Sequence, residues 1–253
     1  MSQRALSFGT IAEAYERYRP GYPDELARLV LEYAGRPVTT ALEIGAGTGK
    51  ATRVLARHGV AVTATEPDPA MLAELRKHVP ANVTPVRAAF EELRPGATYP
   101  LVFAAAALHW TDRRERWARI AALLEPGGVF ASCGGPLLLA DPAVAAAVAA
   151  AREPYLADDT IPAPDGTPPE AAMQWPGSEL ERSEWFGDVE QHVIERRVEL
   201  SARDYAGHLS TVSAYLMLPD EQREQVLARI LDVLPATVEM TGDLILHLAR
   251  RVP

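Results

Sequence analysis

The stretch Leu42-Glu43-Ile44-Gly45-Ala46-Gly47-Thr48-Gly49-Lys50 ends a hydrophobic strand, opens a helix, and sets three glycines at alternate positions between them. Glycine suits such a turn because the chain must bend sharply with no Cβ in the way. A ligand must also come close to the backbone N–H groups at the helix start. A dinucleotide fingerprint wants glycines at the first, third and sixth positions. Here the third glycine stands fifth and Lys50 takes the sixth place. Glu43, two residues before Gly45 at the carboxyl end of the strand, is an acceptor suited to a cationic amine and would repel a pyrophosphate. The expected ligand is a zwitterionic, adenosine-bearing molecule rather than a nicotinamide dinucleotide.

Val60-Ala61-Val62-Thr63-Ala64-Thr65-Glu66 reads as a short β-branched strand ending in a carboxylate 21 positions after Gly45. An ionised Glu66 accepts hydrogen bonds from both hydroxyls of a ribose, and a βαβ unit delivers the end of its second strand to the sugar. The competing role, capping the helix Asp68–His78, falls better to Asp68. A third strand begins at Val83 and runs through Arg87 into Ala88, Ala89, Phe90 and Glu91. Further on, Leu124-Glu125-Pro126-Gly127-Gly128 makes a turn before the apolar run Val129-Phe130-Ala131.

Glu43-x-Gly45-x-Gly47-x-Gly49, Glu66 and the Leu-x-Pro-Gly-Gly turn together make the chain similar to the class I S-adenosylmethionine-dependent methyltransferases. The small-molecule branch that includes trans-aconitate methyltransferase-like proteins resembles it most, through Leu108-His109-Trp110 and the segment Leu209–Leu216. The resemblance implies an α/β, Rossmann-like, seven-stranded and mostly parallel sheet with helices on both faces. It also implies an antiparallel last strand and a helical insertion between strands five and six that roofs the substrate cavity. It places the cofactor on the glycine loop with Ala46, on Pro67 and Met71 after the second strand, along Ala89 and Phe90 at the adenine, and near Ala105 and His109 after the fourth strand. The aromatic, basic segment Phe8–Pro23 resembles a cover in which Tyr15 lies over the sulfonium and Arg19 meets the cofactor's carboxylate. One departure is Pro100, standing where the family commonly begins its fourth strand with an acid; it puts the start of that strand in question.

Apolar residues at helical spacing mark Pro23–Glu32, Lys50–Arg57, Met71–His78 and Trp117–Leu124, each followed by a strand candidate, an alternation that predicts a parallel, doubly covered sheet. The rhythm breaks near Gly134. An alanine-rich helix and a proline-rich, irregular stretch over 156–178 follow, and strands return at Val189–Leu200 and Val238–Leu248. The expected division is a single methyltransferase domain over 1–253: a cover segment at 1–23, a cofactor core at 24–133, an insertion at 134–187 and a C-terminal part at 188–253.

With hydrophobic residues at 48%, charged ones at 23% and a net charge of −9, the field opposes nucleic acids and anionic membranes. The pair Arg196-Arg197 reads as a solvated strand edge. Cys133 is the only cysteine, so an intrachain disulfide and a multi-cysteine metal site are excluded. Asp112 stands alone after the fourth strand, and no metal is expected. The absence of a leader pattern or an apolar run of spanning length points to a cytoplasmic protein, and the arginine, alanine and proline bias to a GC-rich bacterial genome.

Methyl transfer from a sulfonium to the O, N or C of a small-molecule acceptor is an in-line displacement, so alignment supplies much of the acceleration. Where a proton must leave the acceptor, His109 is the first candidate base and His208 the second. Tyr22, Trp110, Trp175, Trp185, His208 and Tyr215 are the expected acceptor-lining residues. A protein that binds the same cofactor without methylating would keep the same first motif.

Overall fold

The computed structural model describes residues 11–94, 96–156, 163–168 and 170–252. Residues 1–10 of the expected cover segment lie outside that part, as do 157–162 and 169 of the insertion.

The first half alternates as its periodicity dictates. Strands β1 (Thr40–Ile44), β2 (Ala61–Thr65), β3 (Val83–Val86), β4 (Tyr99–Ala105) and β5 (Leu124–Gly134) run parallel, in the order β3-β2-β1-β4-β5. The order reverses at β1 and β4, and in such sheets ligands bind in the crevice beyond the carboxyl ends of the strands at that point. Two short helices precede β1: α1 (Ala12–Tyr18) and α2 (Glu25–Ala34), the latter stopped by Gly35 in the left-handed region. Between the strands lie α3 (Thr52–Arg57), α4 (Pro69–His78) and α5 (Arg116–Leu123). Asp68 caps α4, accepting from the N–H groups of Ala70 and Met71, which leaves the carboxylate of Glu66 to other work. Pro100 has no N–H to give the ladder, and the β4–β5 register shifts between Tyr99 and Leu101 around it. The departure therefore disturbs only the start of the strand.

Three elements follow β5: the two-residue β6 (Leu138–Leu139), then α6 (Pro142–Arg152) and α7 (Gly177–Glu181). Strand β7 (Phe186–Ser201) pairs antiparallel with β8 (Thr237–Arg251), and β8 in turn pairs antiparallel with β5 and β6. The seven expected strands are present, with β6 an eighth among the described residues. Between β7 and β8 the chain makes α8 (Ala202–Ser210), α9 (Ser213–Leu216) and α10 (Asp220–Val233).

Three apolar clusters hold these layers. One face of the sheet packs on α2 and α3 through Leu26, Val30, Val54 and Leu55. The other packs on α5 and α7 through Ile120, Phe130, Leu180 and Phe186. The third cluster is the roof, where Val148, Tyr205, Tyr215, Val226 and Ile230 meet Val238 and Met240 of β8. The roof is thus shared rather than supplied by the insertion alone. α6 comes from between β5 and β7, but α8, α9 and α10 come from between the last two strands. Trp175 and α7 of the insertion turn the other way, packing Leu180 against the α5 side.

Candidate active site

The glycine loop takes the shape its composition requires. Gly45, Gly47 and Gly49 have φ of +65°, +57° and +83°, a region where a Cβ is costly. A Cβ on Gly45 would lie 2.6 Å from that of Ala107, whereas one on Gly47 would meet only the Met71 methyl, at 3.5 Å. Gly45 therefore allows the loop to pack against the end of β4, and Gly47 leaves its outer side open. Ala46 is buried and donates its N–H to the Thr65 carbonyl at 2.9 Å, tying the loop to β2.

Two buried carboxylates flank the loop. Glu66 accepts from the N–H of Gly47 and of Asp68, both at 2.9 Å. Burial raises its pKa, partly offset by those two donors. Glu43 is 1% exposed, and its Oε2 has no hydrogen-bond partner. Burial pushes its carboxyl up to about 8, with the charge of Glu66 adding to the rise. Pro67, next to Glu66 in the chain, and Ala89 line an open cavity of about 550 Å³ with Arg87, Glu91 and Glu92. Phe90 differs from Ala89: it is 5% exposed, within the core on the α5 face, and does not line that cavity. Met71 is buried beneath Gly47, and Ala105 ends β4 half-buried.

The segment before the core is seated on this loop by contacts that spacing does not reveal. Glu16 on α1 accepts from Thr48 Oγ1 at 2.6 Å and pairs with Arg53 at 2.8 Å. Lys50 donates to the Glu16 carbonyl at 2.6 Å. The lysine at the sixth loop position thus anchors α1. Tyr15 is half-buried beside Arg19, Glu66 and Glu16, and desolvation raises its phenol pKa. Arg19 stands 5.4 Å over the Tyr15 ring and gives its Nε to Thr211 Oγ1 at 2.8 Å and its Nη2 to the Thr211 carbonyl at 2.9 Å. These bonds make Arg19 a strut between α1 and the roof. Gly207 of α8 completes the contact, since a Cβ there would run into the Tyr18 ring at 2.6 Å.

His109 and Trp110 sit in a short 3-10 turn after β4, their rings 4.4 Å apart. The turn is held from below by Arg116, fully buried, which bonds Thr111 Oγ1 at 2.8 Å and the Thr111 carbonyl at 3.0 Å. Burial, and then the charge of Arg116, take His109 down to about 4. His208 is likewise held at about 4 by burial and by Arg19, and its Nδ1 is buried without a partner. Both imidazoles are neutral near pH 7.

The expected acceptor-lining residues are not all brought together. Tyr22 lies close to Glu43, Tyr15 and Cys133, and burial holds its phenol well above the ordinary value. Tyr215 is fully buried inside the roof. Trp175 packs on the α5 face, 5.4 Å from the Arg116 guanidinium, and Trp185 is 42% exposed beside Phe186, which pairs with Arg251 near the end of β8. That register places Trp185 toward the amino edge, away from the cleft. These two tryptophans were expected in a roof built from the insertion, and it is their part of the insertion that turns to the other face.

Residues 41–128 match the family model described as a methyltransferase domain. An uncharacterised methyltransferase of Mycobacterium tuberculosis is 40% identical over 124 residues, 49% of this chain and 50% of that protein. A protein of Dictyostelium discoideum assigned as a methyltransferase is 33% identical over 104 residues, 41% of this chain and 39% of its own. The chain thus spans about half the length, or less, of the curated relatives it matches. A solved structure described as a type II methyltransferase of Anaeromyxobacter dehalogenans superimposes over 93% of this chain and 99% of its own, with a TM-score of 0.68 and 28% identity. Among the described residues no helix is long and apolar enough to cross a membrane, and no group of His, Cys, Asp and Glu is placed to hold a metal. A glycine loop flanked by two buried acids, in this strand order and with these likenesses, makes residues 41–128 a domain of the class I, S-adenosylmethionine-dependent methyltransferase family.

Proposed function

We propose that this protein transfers a methyl group from S-adenosylmethionine to a small-molecule acceptor, and that S-adenosylhomocysteine is the product left in the cleft. The observation that carries the reading is the buried, unpartnered Oε2 of Glu43 beside the loop. An orphan buried carboxylate oxygen is costly on its own and is satisfied by an ammonium, as the methionine end of this cofactor supplies. Glu66 holds the loop through Gly47 and keeps lone pairs for a ribose. We assign the adenine to the cavity that Pro67 and Ala89 line beyond the ribose carboxylate.

The transfer itself forms a bond from an acceptor lone pair to the methyl carbon as the carbon–sulfur bond breaks and its electron pair stays on sulfur. The protein's part is to align the two partners and keep water out. His109, neutral and held by the Arg116 turn, accepts a hydrogen bond from an acceptor proton better than it removes that proton outright, since a pKa of about 4 makes it a weak base. His208 supports the roof above α1.

Calorimetry tests the reading directly. S-adenosylhomocysteine should bind and NAD should not. In buffers of different ionisation enthalpy at about pH 6.5, binding should release close to one proton, because an ammonium beside Glu43 lowers a pKa of about 8 and ionises the acid. Tighter binding of NAD, or binding of S-adenosylhomocysteine with no proton released, sinks the assignment of Glu43. Transfer is then read by mass spectrometry as a methyl gain across carboxylates, phenols and amines. Cofactor binding with no gain in any class of acceptor would favour a non-methylating role.

A further inference from the structure

Among the described residues, Arg196 is the arginine that keeps a buried guanidinium N–H without a hydrogen-bond partner. Gly134, the last residue of β5, stands level with Ile245 of β8, and Ile245 with Val193 of β7. Arg196 is three residues further on and pairs with Gly242, so it overhangs the carboxyl edge of the sheet where β5 ends. Its Nη2 reaches back to the Gly135 carbonyl at 2.9 Å and the Pro136 carbonyl at 3.4 Å. Its Nε is buried and has no hydrogen-bond partner. The Tyr22 phenol, the Cys133 thiol and Asp243 favour its charged form, and Asp243 makes no ion pair with it among the described residues. The charges of Glu43 and Tyr15 also bear on the Tyr22 phenol, so this half-buried tyrosine feels both the glycine-loop end of the cleft and Arg196.

The neighbour in sequence shows that this burial is specific. Arg197 points to the opposite face, its side chain 73% exposed and paired with Glu239 at 3.1 Å. Alternation along β7 sends one arginine to water and the other over the cleft. A guanidinium that keeps a buried N–H unpaired bears a desolvation cost that a carboxylate relieves, and its rigid geometry favours planar anions.

Resting on the methyltransferase reading, we propose that Arg196 recognises the methyl acceptor, its Nε–H binding a carboxylate of a small anionic molecule whose body lies along Tyr22 beneath the roof. The donor end of the cleft is then acidic, through Glu43 and Glu66, and the acceptor end is basic. Each cosubstrate is drawn to its own end.

The test uses matched acid and amide probes: benzoate with benzamide, phenylacetate with phenylacetamide, and succinate with succinamide. They are titrated by ligand-observed NMR and calorimetry into the protein with and without S-adenosylhomocysteine. At least one acid should bind about tenfold or more tighter than its amide, the scale of one hydrogen bond to a charged group. Arg196→Gln should erase that preference, Arg196→Lys should restore part of it, and Arg197→Gln should leave it intact, all with unchanged affinity for S-adenosylhomocysteine. Equal binding of acids and amides by the unaltered protein, or an acid preference that survives in Arg196→Gln, overturns the proposal. If S-adenosylhomocysteine does not bind at all, the methyltransferase reading fails, while the acid preference of the unloaded protein still decides the role of Arg196.

Discussion

At the β1–β2 end of the cleft the backbone itself makes the site: three glycines with positive φ, the Ala46 N–H on Thr65 and the Gly47 N–H on Glu66. At the β5–β7 end the site depends on side chains that cross the molecule, such as Arg19 on Thr211, 192 positions away, and Arg196 on Gly135, 61 positions away. The first kind of site tolerates almost no change in backbone shape. The second tolerates changes of side chain one at a time, and acceptor choice can drift there while the donor site stays as it is.

The largest effect expected from this difference is at Gly45. Gly45→Val adds a branched side chain in the left-handed region with its Cβ 2.6 Å from that of Ala107, and should cost about 3 kcal/mol of stability through strain and overpacking together. Gly47→Val has room, so it should cost only about 1–2 kcal/mol for the strained φ and yet abolish cofactor binding, because the added side chain stands where the ligand meets the loop. Urea unfolding beside calorimetry separates the two. Equal stability losses would erase the distinction between packing and ligand glycines.

Glu16→Ala removes the carboxylate that holds Thr48 and Arg53 and lies 3.6 Å from the Lys50 ammonium, and leaves the carbonyl to which Lys50 donates. A loss of about 1–3 kcal/mol is expected, together with faster hydrogen exchange over Ala12–Tyr18 and weaker cofactor binding. Unchanged exchange there would mean that α1 is held by its apolar contacts alone.

Glu43 tests the donor end through pH. The unfolded chain gives up this proton near 4.5, whereas the folded protein holds it to about 8. The folded state therefore binds more protons between those values, and its stability falls as pH rises through that window. Glu43→Gln should flatten that part of the profile and stabilise the ligand-free protein above about pH 8 by on the order of 1–3 kcal/mol, with no difference near pH 4. Cofactor affinity should fall in the same variant. A variant whose stability profile runs parallel to that of the unaltered protein would show that Glu43 is not the group titrating.

The smallest effect belongs to the roof. Thr211→Val removes one of the two bonds that Arg19 makes there and keeps the carbonyl, so stability should drop by about 0.5–1.5 kcal/mol. Acceptor KM should rise with cofactor affinity unchanged. Weakened cofactor binding would instead return Arg19 to the cofactor's carboxylate.

The donor end was legible in the chain because its physics is local. A strand, alternate glycines and a helix start lie within nine consecutive residues from Leu42 to Lys50, and Glu66 follows at the end of the next strand. Parallel pairing then carries these to one edge by rule. The segment that leads into the roof was legible as helical and aromatic, but its partner was not. Nothing in Glu16, Lys50 or Thr211 taken singly says that α1 bridges the glycine loop and α8. Composition alone placed the tryptophans of the insertion with the acceptor, and the structure sends Trp175 to the α5 face and Trp185 toward the amino edge, because Leu180 and Phe186 bury there. Arg196 and Arg197 read alike as a charged pair. Only the pairing of β7 with β8, and of β8 with β5, decides that one is bathed in water and the other hangs half-buried over the end of β5, since strand alternation assigns a face and sheet register assigns a height.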